Sequence, residues 1–392
     1  MKKMRYLLTV IMILSIVLSG CGGLGSAPSE TQNSDNNESN ASSSSSTEVS
    51  QTEEVRVGLD KNVYEIPQYT QQEGVRIARI STSLSAADYG VTPSGVLFKT
   101  MVDEIEARSG GKIVLQIYPA NQLASGADQI ISSLASGAFE ISELSAGSWG
   151  DYTTAFAPLN IPFLYKNIDV VHAIIDGEIG DEMVQQVRED CNVVPIGFME
   201  LGMRQMTNSS REIHAPADLS DLKIRVQSDP IQIAAFEALG GSCVSVPFSE
   251  LFTALQQKLC EAQENPIHNI VSKKFYEVQP YLTVSEHSPT ESILVLSGVY
   301  WETLSDEEKT WFEEAGKMAT DASRVACQLQ TETLLNQVED YGITVTTLTP
   351  EEKQVFVDQV MPVWDMAEEI MGQEKWNELL KAVDKAETQL GL

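Results

Sequence analysis

An α/β fold of two lobes, with a cleft between them and one long helix lying across both, is what this chain of 392 residues predicts. Short apolar runs alternate with helical patterns from residue 76 onward, and repeated β-α-β alternation argues for helices covering a largely parallel sheet. A second such set begins near residue 191, and the chain from about residue 75 to its end is long enough for two lobes of ordinary domain size. Finally, a helical pattern runs from about Ser305 to Tyr341, easily long enough to lie across two lobes.

The elements follow in order. Lys2, Lys3 and Arg5 precede an apolar run from Tyr6 to Val17, too short to span a bilayer, which takes about 20 residues. That run ends in LSGC, Leu18 to Cys21, which resembles the lipobox of bacterial lipoprotein signals. By that resemblance residues 1–20 are a signal peptide and Cys21 is the lipidated first residue, anchored in the outer leaflet of the cell membrane; an uncleaved anchor or ordinary secretion is the alternative. Residues 22–55 contain no aromatic residue and no Lys or Arg, a composition that cannot bury enough apolar surface to order itself. With Cys21 they read as a Ser/Asn-rich tether over 21–74, with a reach on the order of 40 Å.

Within the first set, RIARIST (76–82) reads as a strand. The helix PSGVLFKTMVDEIEARSGG follows, with Val96, Leu97, Met101, Val102 and Ile105 on one face and Gly110–Gly111 as its stop. KIVLQIYP (112–119), the helix ADQIISSLASG and the strand FEISELSA (139–146) complete the set. The second contains KIRVQS (223–228), the helix PIQIAAFEALGG and the strand SCVSVPF (242–248). Ser249 is then placed to cap a helix in which Leu251, Phe252, Leu255, Leu259 and Cys260 recur on one side and which runs into QENP (263–266). YLTVSEH and SILVLSG (292–298) are extended segments that carry the chain back to the first lobe.

The formal net charge is −30 and no basic stripe is present, so nucleic acid is not an expected partner. Cys191, Cys243, Cys260 and Cys327 fit neither zinc nor CxxC spacing, and a Cys243–Cys260 disulfide stays open. No dinucleotide, Walker, GxSxG or HExxH pattern occurs and the four histidines are scattered, so neither a cofactor nor an enzyme is implied.

Polar residues on apolar strands carry the chemistry. Alternation in KIRVQ puts Lys223, Arg225 and Gln227 on one face, and Arg204 in LGMRQMT has the same extended character. A guanidinium fork matches a carboxylate bidentately, and the amide of Asn265 can donate and accept. Pro266 biases Asn265 toward an extended conformation, which makes QENP a ligand-facing corner at a helix end.

Together GMRQMTN (202–208), ADLSDLKIRV (217–226), ALGG (238–241), VPFSELFTALQ (246–256), QENP and KKFYEVQPYLTVSEH (273–287) resemble the extracytoplasmic solute-binding proteins of tripartite ATP-independent periplasmic (TRAP) transporters, the DctP type, over roughly residues 75 to 375. The resemblance implies the two-lobed periplasmic solute-binding protein fold, with lobe I over 75–201 plus about 291–330 and lobe II over 202–290 plus about 331–392. It implies that Arg225 pairs with a substrate carboxylate, Arg204 is the second binding arginine, Asn265 is the family's binding asparagine and Phe248 flanks the ligand. Ser145 falls where some members read the far end of the substrate, and Trp149 either lines the same wall or is a core aromatic. The family's Asp-Gly before Gln-Glu-Asn is Glu261–Ala262 here, which removes a glycine and could re-aim Asn265. The implied ligand is a small mono- or dicarboxylate or a sugar acid, and the implied partners are a small and a large membrane subunit, with lipid through Cys21. A sensor of the same fold feeding a membrane kinase, and an extracellular enzyme, are the rival readings.

Overall fold

The computed structural model describes residues 64–392; the signal segment, Cys21 and the tether up to residue 63 lie outside the described residues. The chain begins with β1 (Arg76–Ser81), α1 (Pro93–Ser109), β2 (Ile113–Tyr118), α2 (Ala127–Ser136) and β3 (Ile141–Ser145). Two helices, α3 (Ile168–Ile175) and α4 (Glu178–Cys191), lead into the 16-residue strand β4 (Val193–Asn208). Next come β5 (Lys223–Val226), α5 (Pro230–Ala238), β6 (Ser242–Ser245), α6 (Leu251–Gln256), β7 (Ala262–Pro266), α7 (Ile267–Ser272), β8 (Tyr281–Val284) and β9 (Pro289–Ser297). The chain closes with α8 (Gly298–Trp301), α9 (Asp306–Gln337), β10 (Thr344–Thr347), α10 (Pro350–Met371) and α11 (Gln373–Leu390).

Local chemistry sets the helix ends. The Thr92 hydroxyl accepts from the Gly95 amide at α1's start, Pro93 opens the helix, and Gly110 ends it at φ 59°. The predicted long helix is α9, started by a reciprocal Ser305–Glu308 capping box and followed by a 3-10 turn over Val338–Tyr341. No helix among the described residues is long and apolar enough to cross a membrane.

The strands form one sheet in the order β2-β1-β3-β9-β4-β7-β5-β6, with β8 beside β4 and β10 beside β8. β1 runs parallel to β2 and β3, and β5 parallel to β6 and β7. Between these parallel groups lie antiparallel pairings: β9 with β3 and β4, and β4 with β7. β4 belongs to both halves, pairing β9 along its first part and β7 and β8 along its last, with register shifts at Pro195/Gly197 and Glu200/Gly202. The helix α9 packs on α1, β4 and α7, so it too serves both halves, while α10 packs on α5 and α11 on α3. One apolar cluster joins Leu144 and Val170 to Ile224, Phe236 and Phe356, so the base of the two lobes shares a core.

Two local expectations are corrected. The helix α6 stops at Gln256, Lys258 turns the chain at φ 56°, and QENP is the interior strand β7 rather than a corner at a helix end. The reason is non-local: β4 and β5 flank this segment and pair with its backbone on both edges. Leu259, assigned to the helix's apolar face, is 53% exposed as a consequence. Ser249 does not cap α6; it sits in a 3-10 turn, and its hydroxyl lies 2.7 Å from that of Ser125. Cys243 and Cys260 are both free thiols.

Candidate functional site

A cleft of about 510 Å³ opens where the C-terminal ends of β3 and β5 face each other. One wall carries Ser125, Glu143, Ser145 and Ser292; the other carries Arg225, Gln227, Phe248, Asn265 and Asn269. The walls touch across it: Gln227 Nε2 donates to Ser145 Oγ at 2.8 Å, and Lys273 Nζ donates to the Ser83 carbonyl at 2.7 Å.

Arg225 projects from β5 into this space and is only 4% exposed. Its Nε donates to the Val246 carbonyl at 2.9 Å, while its buried Nη1 has no hydrogen-bond partner among the described residues. Burial pushes its pKa down to about 10, with Glu264 opposing and Arg204 adding to the fall. It therefore remains a cation at neutral pH, and a buried cation with an unused donor is costly until an anion meets it.

Arg204 also reaches the cleft, but its fork is engaged. It pairs with Glu264 through Nε and Nη2, Nη2 also donates to the Glu264 carbonyl at 2.7 Å, and Nη1 donates to Thr290 Oγ1 at 2.8 Å. Burial would raise the Glu264 carboxyl, but Arg204 and His287 outweigh it and hold the pKa at about 2. Burial lowers the His287 pKa, so its ring is neutral at pH 7; Nε2 lies 3.2 Å from Glu264 and Nδ1 lies 2.8 Å from the Ser285 hydroxyl.

The remaining candidates divide. Asn265 lines the cleft, its Nδ2 donating to Gln263 Oε1 at 2.5 Å and its Oδ1 accepting from Asn269 at 3.0 Å. Those bonds hold the amide toward the cleft through its strand and α7, with alanine at position 262. Phe248 lines the wall, held edge-on to Phe275 at 6.1 Å between ring centres. Ser145 lies in the cleft as expected. Trp149 is the correction: fully buried and edge-on to Phe156 at 5.7 Å, it is a core aromatic and does not line the cleft. The turn after β3 carries its indole behind the wall, into the apolar cluster. Glu143, Asn269 and Ser292 were not singled out from sequence; the one usable signal was that Glu143 shares a strand face with Ser145.

The comparisons agree with this geometry. A family model, DctP, described as bacterial extracellular solute-binding protein, family 7, matches residues 90–370. The 2,3-diketo-L-gulonate-binding periplasmic protein YiaO of Escherichia coli is 28% identical over 74% of this chain and 87% of its own length. An uncharacterized protein of Sinorhizobium fredii is 32% identical over 62% of this chain, and the match spans 46% of that protein. The crystal structure of the sugar acid binding protein DctPAm from Advenella mimigardefordensis, in complex with galactonate, superposes with a TM-score of 0.75 at 29% identity, covering 80% of this chain and 99% of that one.

Proposed function

Because the chain belongs to the bacterial extracellular solute-binding protein family 7, we propose that it captures a small organic carboxylate between its two lobes and delivers it to TRAP membrane subunits for uptake. The observation that carries this is Arg225, a buried cation with an unused donor in the wall of a cavity that has room for a small acid. A carboxylate receives the free Nη1, while Arg204 adds its charge from the cleft floor with its own donors kept on Glu264 and Thr290. Asn265 and Gln227 supply amide contacts, Phe248 covers the ligand's apolar side and Ser145 meets its far end. Ligand contacts made to both walls at once favour the closed arrangement, so binding shifts the population toward it. On this reading the ligand is released chemically unchanged. LSGC supports tethering through Cys21 at the outer face of the cell membrane, and the change of β4's partner from β9 to β7 between Met203 and Arg204 supports a lobe boundary close to residue 202.

Thermal denaturation of the purified chain, unfolded and refolded to remove bound ligand, tests this against a panel of mono-, di- and sugar acids. A ligand at 100 times its Kd stabilises by about 2.7 kcal/mol, a clearly raised melting temperature. Stabilisation by an acid in the wild type and its loss in Arg225→Ala is the expected result; stabilisation that survives the substitution overturns the site.

A further inference from the structure

Three carboxylates line the cleft, Asp128, Glu143 and Glu250; Asp128 accepts from the Tyr152 hydroxyl and Glu250 is exposed, which leaves Glu143 as the inward one that the capture of a carboxylate does not use. It lies on β3 two residues before Ser145, and Arg225 lies on β5 two residues before Gln227. Alternation places each pair on one strand face. Since Ser145 and Gln227 touch at 2.8 Å, Glu143 and Arg225 stand one rung deeper, on opposite walls of the same cavity. Glu264 offsets the charge on Arg225 only in part and from a distance, since its carboxylate is hydrogen-bonded to Arg204.

The Thr82 hydroxyl, at 3.4 Å, and that of Ser292 hydrogen-bond to Glu143. They occupy part of a carboxylate's four acceptor sites, and the residue lines the cavity. Lys273 is the nearby cation, and its ammonium is turned to the Ser83 carbonyl at 2.7 Å and the Phe248 ring at 5.7 Å. Burial pushes the Glu143 pKa up to about 7 against the pull of Lys273, as befits an acid with little solvent. The cavity thus offers one uncommitted cation on one wall and hydrogen-bond acceptors with an acid on the other.

We infer that Glu143 is the specificity-determining residue of this cleft, accepting hydrogen bonds from the hydroxyls of a polyhydroxylated monocarboxylate seated on Arg225 and rejecting the dicarboxylate of the same length. The inference rests on the carboxylate-capture reading above. A ligand hydroxyl can donate to an ionised Glu143. A second carboxylate brings only acceptors and meets a like charge there, unless Glu143 first takes up a proton, which its raised pKa makes easy near neutrality and costly at alkaline pH.

The test is calorimetric titration of the refolded full chain at about pH 8.5, where Glu143 is ionised, with D-gluconate and D-galactonate, each against its six-carbon aldarate, which differs only by a carboxylate in place of the terminal CH₂OH. The wild type is expected to bind an aldonate at least roughly tenfold more tightly than its aldarate. Glu143→Gln, which keeps the shape and removes the charge, is expected to shrink that ratio severalfold, chiefly by tightening the aldarate; Glu143→Ser serves the same purpose should the first variant fold poorly. A purely structural role would weaken both ligands alike and leave the ratio intact. Equal wild-type affinity for the two acids, or an unchanged ratio in the variants, overturns the role of Glu143 and leaves carboxylate capture standing. Failure of the wild type to bind any of these acids or succinate overturns both.

Discussion

Arg204 and Glu264 meet diagonally across the antiparallel strands β4 and β7, where Arg204 is opposite Pro266 and Glu264 opposite Met206, as a closed ion pair with each side chain 1% exposed. Removing one partner strands the other charge in the interior. Arg204→Ala is therefore expected to lower stability by about 3–5 kcal/mol, read from urea denaturation. The same pair makes the fold acid-sensitive. The Glu264 pKa is depressed to about 2 in the native state, so its stabilisation is complete above the unfolded carboxyl value of about 4.3 and is lost as pH falls from there toward 2. Wild type and Glu264→Gln should therefore converge in stability at the acid end of a pH series.

Arg225 should behave in the opposite way. Its Nη1 meets no partner among the described residues, so Arg225→Ala should leave the denaturation midpoint unchanged or raised while weakening ligand binding by about 30-fold to several thousandfold, the equivalent of about 2–5 kcal/mol. Arg225→Lys should also lose most of the affinity, because an ammonium cannot present a planar fork. Normal binding by the lysine variant, measured by titration calorimetry, would remove the bidentate role.

Glu200 and Glu291 are directly opposed in the β4–β9 register, and neither Glu291 oxygen has a hydrogen-bond partner among the described residues. Burial first, and then the Glu200 charge, push the Glu291 pKa well up, with Arg324 opposing and Asp176 adding to the rise. A raised native value means the folded state holds the proton more tightly than the unfolded chain. Stability is thus lost as pH rises from about 4.3 through that native value. Glu291→Gln should gain stability relative to wild type at about pH 8 and little at about pH 4, as compared by thermal melts in matched buffers.

Gly150 approaches the segment leading into α5, where an added Cβ would lie 2.7 Å from the Ser228 carbonyl oxygen and 2.9 Å from the Asp229 Cα. Those atoms are backbone and cannot swing aside. Gly150→Ala is expected to destabilise by about 1–3 kcal/mol, the usual penalty of forcing atoms into a filled space. A melting temperature equal to wild type would mean the two segments part more easily than their packing implies.

What could be read from sequence divides by distance along the chain. The stop of α1 at Gly110 and the start of α9 at Ser305 are written in a few adjacent residues, and both were legible. Arg225 was legible because strand alternation alone puts it on a polar face. QENP was not, since only the arrival of β4 and β5 on its two edges makes it a strand. The commitment of Arg204 was hidden for the same reason: its partner lies 60 residues away, inside the very segment that was read as pointing at a ligand. Trp149 follows Ser145 closely, so sequence leaves both the cleft wall and the core open to it; a turn three residues long sends it behind that wall.

β4 carries one further consequence. The two lobes are not beads on a pair of strings, because a single ladder of backbone bonds runs through both. Any relative rotation of the lobes must be taken up as torsion of that ladder. The place with most slack is where the register slips between Glu200 and Gly202 and Gly202 turns to φ 87°. In the closure proposed above the strand would act as a torsion spring, with α9, packed along it, as a stay. Stiffening the spring at Gly202 would change how fast the jaws move more than how well they grip.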